Sequence, residues 1–154
     1  MYTDTITLFN AYVDIDGNIT WYPHVLHKVN LVADKASITA RYGAETKDNA
    51  SLHVKFAATD KGLTIEDIPY FSPKEWAAQV NDELPDSITF SDGSENGIPD
   101  FFIQGEYEST APINDNDYLN GFYAELNSLK DYCYAITSVS TPYKLIPHFE
   151  IMAK

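Results

Sequence analysis

The sequence predicts an α+β fold, mainly β: one domain over residues 1–154, an antiparallel β-barrel or sandwich carrying one or two helices. Three observations predict it. Short alternating segments recur along the chain, beginning with "TITLFNAYV" (5–13). Turn chemistry separates them, as in "DIDGNI", where Asp16-Gly17 is a hairpin signal. The chain carries 11 Tyr, 8 Phe and 2 Trp, residues that suit half-buried strands and semi-polar contact surfaces.

The elements follow in order. Thr5–Val13 is the first strand. Ile19–Ala33, "ITWYPHVLHKVNLVA", is a long second strand, and Pro23 makes part of it an edge, a bulge or a bend because proline cannot donate to a ladder. "ASITARYG" and "SLHVKFAA" are further strands joined by the polar turn "AETKDNA". "SPKEWAAQVNDEL" predicts a helix. Ser72 stands at the cap, Pro73 at the first helical position, and Glu75 completes a capping box. Trp76, Ala77, Val80 and Leu84 form its apolar stripe, and Pro85 stops it. "DSITF" and "DFFIQGEYES" read as strands flanking an acidic loop. A second helix is expected from about Asp115 to Lys130, with Leu119, Phe122, Leu126 and Leu129 at helical spacing and Gly121 weakening it. "YCYAITSVS", the turn "TPYK" and "LIPHFEIMA" close the chain as a hairpin.

Charge narrows the function. Asp and Glu number 23 against 10 Lys and Arg, a formal net charge of −13, and Arg41 is the sole arginine. Binding to nucleic acid through phosphates needs clustered cations, so a gripping contact with DNA or RNA is not expected, nor is attraction to an anionic membrane. No apolar run reaches the roughly 20 residues that span a bilayer. The opening "MYTDTITLFNAYVDIDG" lacks the basic-then-apolar pattern of a signal peptide, and a lone cysteine, Cys133, cannot form an intrachain disulfide. Synthesis in a cytoplasm is the expectation.

The segment from Asp92 carries the strongest metal-like spacing. Asp92, Ser94, Asn96 and Asp100 occupy steps 1, 3, 5 and 9 of a calcium loop, and Gly97 occupies step 6. Step 12 is Ile103, which cannot bind a hard cation, and the flanks read as strands. The same residues supply turn geometry, so calcium is the alternative and a strand-connecting loop is the expectation. His24 and His27, three apart, face opposite sides of a strand and cannot share a metal. Cys133 sits in an aromatic strand as a buried apolar residue. The acid pairs Asp14/Asp16, Glu106/Glu108 and Asp115/Asp117 lie near turns, where solvation is the default. Glycine-rich phosphate loops and the "GxSxG" and "HExxH" motifs do not occur, so no catalytic residue, metal or cofactor is assigned and an enzyme is not expected.

Four stretches in sequence order, "DTITLFNAYVD" with the following "WY", "YFSPKEW", "DFFIQGE" and "ITSVS" with "PHFEI", carry a family likeness. On them the chain resembles an uncharacterised family of small phage and prophage proteins of Gram-positive bacteria, encoded among head and tail genes as minor capsid or head–tail connector proteins. It departs from that pattern in the acidic 92–100 loop and in the segment around 111–130. The resemblance implies a virion structural protein of the neck, a stopper or head-completion ring subunit between portal or adaptor and tail. DNA would pass nearby without specific binding. A tail terminator, a capsid decoration protein or a calcium-dependent binding module are the alternatives.

Overall fold

The computed structural model describes residues 2–33, 50–140 and 147–154. The expected strand "ASITARYG" and the turn "TPYK" lie outside the described residues. Ten strands are described: β1 (Asp4–Val13), β2 (Ile19–Ala33), β3 (Ala50–Lys55), β4 (Ala57–Thr59), β5 (Gly62–Ile65), β6 (Ile68–Pro69), β7 (Phe101–Gln104), β8 (Ile113–Asn114), β9 (Cys133–Val139) and β10 (His148–Ala153). Two α-helices are found among the described residues, α1 (Pro73–Ala77) and α2 (Phe122–Leu129).

The main sheet runs β1-β7-β9-β10-β3-β2 and returns to β1, every pairing antiparallel, so six strands close a barrel; β8 adds to β2 outside the ring. Closure removes the free edges that an open sheet of these strands would expose. Side-chain alternation divides the apolar residues between two sides of the wall. Ile6 and Leu8 of β1, Phe102 of β7, Tyr134 and Ile136 of β9, and Phe149 and Ile151 of β10 belong to the larger core. Their neighbours Phe9, Phe101, Ile103 and Cys133 form a second core with Phe122 and Leu126 of α2. Phe122 is wholly buried and meets Phe9 edge-on at 5.2 Å. Truncating such a side chain to alanine costs about 3–5 kcal/mol.

Pro23 fits because of where β2 lacks a neighbour. It pairs with Phe9 of β1, but on the other side β8 reaches only Thr20 and Trp21, and β3 begins at Val29. The strand is locally an edge there, and a missing N–H costs nothing. A separate small sheet, β4-β5-β6, was not announced by the sequence pattern. Its hairpin turn holds Glu66 and Asp67 at φ 48° and 69°, and the Glu66 carboxylate accepts the backbone N–H groups of His27 at 3.0 Å and Lys28 at 3.1 Å. A side chain thus stands in for a strand partner.

Several expected elements are shorter than the sequence pattern implies. The helix of 72–84 is regular only over Pro73–Ala77; turns follow, and Leu84–Asp86 is a 3-10 turn that contains Pro85 rather than ending before it. Trp76 and Leu84 are buried with Tyr22, whereas Val80 is exposed, so the stripe is not continuous. Ser72 makes no cap to the backbone; its hydroxyl donates to Glu75 at 2.8 Å. "DSITF" is not a strand: Ile88 makes one isolated parallel bridge to Tyr70. Its Ile88 and Phe90 instead insert into the larger core, and Phe90 meets Phe149 at 5.3 Å. Tertiary packing outweighs local β preference there. The second helix begins at Phe122, not Asp115; Asp115–Asp117 is a 3-10 turn, and Leu119 is fully exposed. Gly121 stands between them at φ 92°, a conformation few other residues adopt. Among the described residues, no helix is long and apolar enough to cross a membrane.

Candidate functional sites on the barrel

The calcium-like loop is built as a turn. Asp92 Oδ1 accepts the N–H of Ser94 at 2.9 Å, and Asn96 Oδ1 accepts that of Ile98 at 2.9 Å. Both are side-chain turns closed on the backbone two residues ahead. The hydrogen bonds from Ser94 hold the Asp92 carboxyl below the usual range. Gly93 adopts φ 92°, and a Cβ there would meet the Pro99 nitrogen at 2.9 Å, so the loop requires glycine at this point. Asp100 leaves the group altogether: Asp92 and Ser94 are exposed, but Asp100 is buried.

Asp100 holds the loop to the barrel. Its Oδ1 accepts the N–H of Ala11 at 2.8 Å, and its Oδ2 accepts Asn10 Nδ2 at 2.9 Å and the N–H of Ser91 at 3.0 Å. Asn10 Nδ2 also donates to the Thr89 carbonyl at 2.7 Å. Burial pushes the Asp100 carboxyl up to about 7, against the pull of these donors. The network ties the 87–91 segment, which belongs to no ladder, to the neighbouring strands β1 and β7.

The histidines sort differently from their spacing. His24 is buried and His27 exposed, on opposite faces of β2. Burial lowers His24 to about 4, partly offset by the Ser87 backbone and Asp86. His53 and His148, 95 positions apart in sequence, come together on the outer wall. On β3 and β10 the residues alternate between buried Leu52, Val54, Phe149 and Ile151 and half-exposed His53, His148 and Glu150. The register sets Glu150 opposite His53, and His148 shares its face two positions along. One ligand-type atom from each of the three lies within 4.8 Å of the others. The rings of His53 and His148 are 5.5 Å apart, and His53 Nε2 lies 3.2 Å from Ser51 Oγ. The "HxE" spacing of His148 and Glu150 was visible in the sequence; the contribution of His53 was not, because it depends on which strand pairs with β10.

A cleft of about 250 Å³ lies between β2, the 98–99 turn and α2, lined by Trp21, Ile98, Pro99, Gly121 and Tyr123 among others. Its charged residue, Asp115, is already engaged: Oδ1 accepts Trp21 Nε1 at 2.9 Å and the N–H of Phe122 at 2.8 Å. Asp115 therefore supports the first turn of α2 and the indole below it. Of the other acid pairs, Asp14 accepts the N–H groups of Asp16 and Asn18 in the β1–β2 turn, and Glu106 meets His27 at 3.6 Å on the surface. Cys133 is buried in the apolar layer beneath α2, as its aromatic strand suggested.

One end of the barrel presents bare apolar side chains. Ile15 in the β1–β2 turn and Leu119 before α2 are 100% and 99% exposed. The two loops are tied by Asn116 Nδ2 donating to Asn18 Oδ1 at 3.0 Å. Asp14, Asp16, Asp115 and Asp117 surround them in sequence.

Fold and surface together define a small, acidic, closed β-barrel protein with a helix packed on its wall. The chain belongs to a family of unknown function, DUF6751, whose family model matches residues 1–154. No curated protein and no solved structure matches it.

Proposed function

We propose that this protein is a structural subunit of a bacteriophage particle, a head–tail connector of the stopper or head-completion type that forms a ring at the neck. The observation that carries the reading is the exposed pair Ile15 and Leu119 on two bonded loops at one end of the barrel. Large aliphatic side chains left wholly in water on acid-rich loops suit a surface completed by another subunit. The ordered likeness of four stretches to minor capsid and connector proteins supplies the particular setting. The formal charge of −13 suits a wall past which DNA slides without adhering. The partners on this reading are further copies of the chain, the portal or adaptor ring and the tail; its place is the virion, with assembly in the host cytoplasm. A tail terminator or decoration protein would share these features and differ in position. Purified protein mixed with portal–adaptor complexes should add a ring visible by electron microscopy and retain packaged DNA. Failure to join those complexes counts against the assignment, and a ring at the far end of the tail replaces it with a terminator.

A further inference from the structure

We propose that His53, His148 and Glu150 bind a divalent transition-metal ion of the zinc type on the outer wall of the barrel. Two imidazoles and one carboxylate are the donor set that zinc and its neighbours prefer, with the remaining positions left for water or another ligand. Ligands of a tetrahedral ion at 2.0–2.1 Å stand about 3.3 Å apart. The three candidate atoms already lie within 4.8 Å of one another. Side-chain rotation, with no movement of the strands, closes that difference.

The backbone fixes the arrangement. β3 and β10 pair without a shift from His148↔Lys55 to Ala153↔Ala50, so the three side chains project from one rigid face. Buried Leu52, Val54, Phe149 and Ile151 hold that face from beneath. Ser51 Oγ, 3.2 Å from His53 Nε2, is placed to orient the ring. With the metal on Nδ1, the Nε2–H donates to that hydroxyl and sets the tautomer. The nearby cation does not oppose the site directly: Lys55, opposite His148, carries its ammonium 4.2 Å above the Tyr2 ring. The acidity of the whole chain favours any cation. All three residues are half-exposed, so an ion can enter and exchange from solvent.

The test is calorimetric titration of chelator-treated full-length protein with zinc chloride, alongside His53→Ala, His148→Ala and Glu150→Gln. His27→Ala is the control, because His27 and Glu106 form a separate surface pair. The expected result is one ion per chain, with affinity reduced roughly tenfold or more in each of the first three variants and unchanged in the control. Cobalt(II) should give visible absorption that His148→Ala removes. Metal-free melting of Glu150→Gln at the wild-type temperature shows that its loss is one of ligation and not of folding. Absence of saturable heat overturns the proposal. So does binding that survives in both histidine variants, or binding that His27→Ala abolishes.

Discussion

Asn10 and Asp100, 90 positions apart, are hydrogen-bonded at 2.9 Å inside the protein, and each also anchors backbone from a third segment. Asn10 accepts the N–H of Thr89 at 3.3 Å and donates to its carbonyl; Asp100 takes the N–H of Ser91 and of Ala11. The 87–91 stretch has no regular strand ladder; Ile88 is paired with Pro69 and Phe71, and this pair of side chains supplies the partners of the Thr89 backbone and the Ser91 N–H. The prediction is that Asp100→Asn, nearly isosteric, is strongly destabilising. Above about pH 7, where the carboxyl is ionised, an amide presents a donor where the carboxylate accepts, leaving at least one buried N–H unpaired at a cost of about 1–3 kcal/mol. Urea unfolding followed by tryptophan fluorescence should show a lower midpoint at unchanged slope. A wild-type midpoint would remove Asp100 from its role.

His24 and Asp100 give opposite pH dependences. His24 falls to about 4 in the fold, below the ordinary 6.5, so only the unfolded chain takes up the proton between those values. Its contribution is complete above 6.5 and is lost as pH falls through 4, a loss on the order of 3 kcal/mol. Asp100 rises to about 7 in the fold, so the folded chain retains a proton that the unfolded chain releases. Its contribution is complete below about 4 and is lost as pH rises through 7. Over the shared window the two offset each other. Asp100→Asn should therefore make stability fall steeply on acidification, whereas His24→Leu should make it rise. Denaturant midpoints measured from about pH 4.5 to 7.5 decide it; parallel profiles for both variants would refute the assignment.

The fold and the sites were legible in the sequence to different depths. Hydrophobic alternation located β1, β2, β9 and β10 but left barrel and sandwich both open, because closure rests on β1 pairing with β2 on one side and β7 on the other. Pro23 marked an edge, a bulge or a bend, and the structure makes it an edge; that the Glu66 carboxylate meets the His27 and Lys28 N–H groups further along β2 depends on a hairpin too short to show a period. The 72–84 and 115–130 stretches carry helical spacing, yet Val80 and Leu119 are exposed. Spacing reports which positions could share a face, not whether a surface exists to cover them. Asp100 fitted a metal pattern through local spacing, while its actual partners, Asn10 and Ala11, lie about 90 residues away. His53 likewise meets His148 and Glu150 only through strand register.

The β5–β6 turn separates strain from function in adjacent residues. Glu66 and Asp67 both occupy the left-handed region, where a residue with a Cβ pays about 1 kcal/mol. Asp67→Gly relieves that strain and should stabilise the protein by several tenths of a kcal/mol, net of backbone entropy. Glu66→Gly relieves the same strain but removes the acceptor for the His27 and Lys28 N–H groups, and should not stabilise. Thermal melting of the two variants should place Asp67→Gly above wild type and Glu66→Gly at or below it. Equal gains would show that the carboxylate contributes nothing to holding the β2 edge.

The exposed end of the barrel gives the sharpest separation of assembly from folding. Ile15 and Leu119 contact water almost completely, so neither contributes appreciably to the isolated subunit's core. Ile15→Asp/Leu119→Asp should leave the unfolding midpoint within about 0.5 kcal/mol of wild type. If this end is where subunits meet, the same change places two carboxylates in a contact whose loops already carry Asp14, Asp16, Asp115 and Asp117. Like charges desolvated together cost several kcal/mol at an interface. Ring formation, followed by sedimentation and electron microscopy in the presence of portal–adaptor complexes, should then be lost by a fold that remains intact. Wild-type assembly of the double variant would move the subunit contact to another face of the barrel, and loss of folding would mean that this end is packed within the subunit itself.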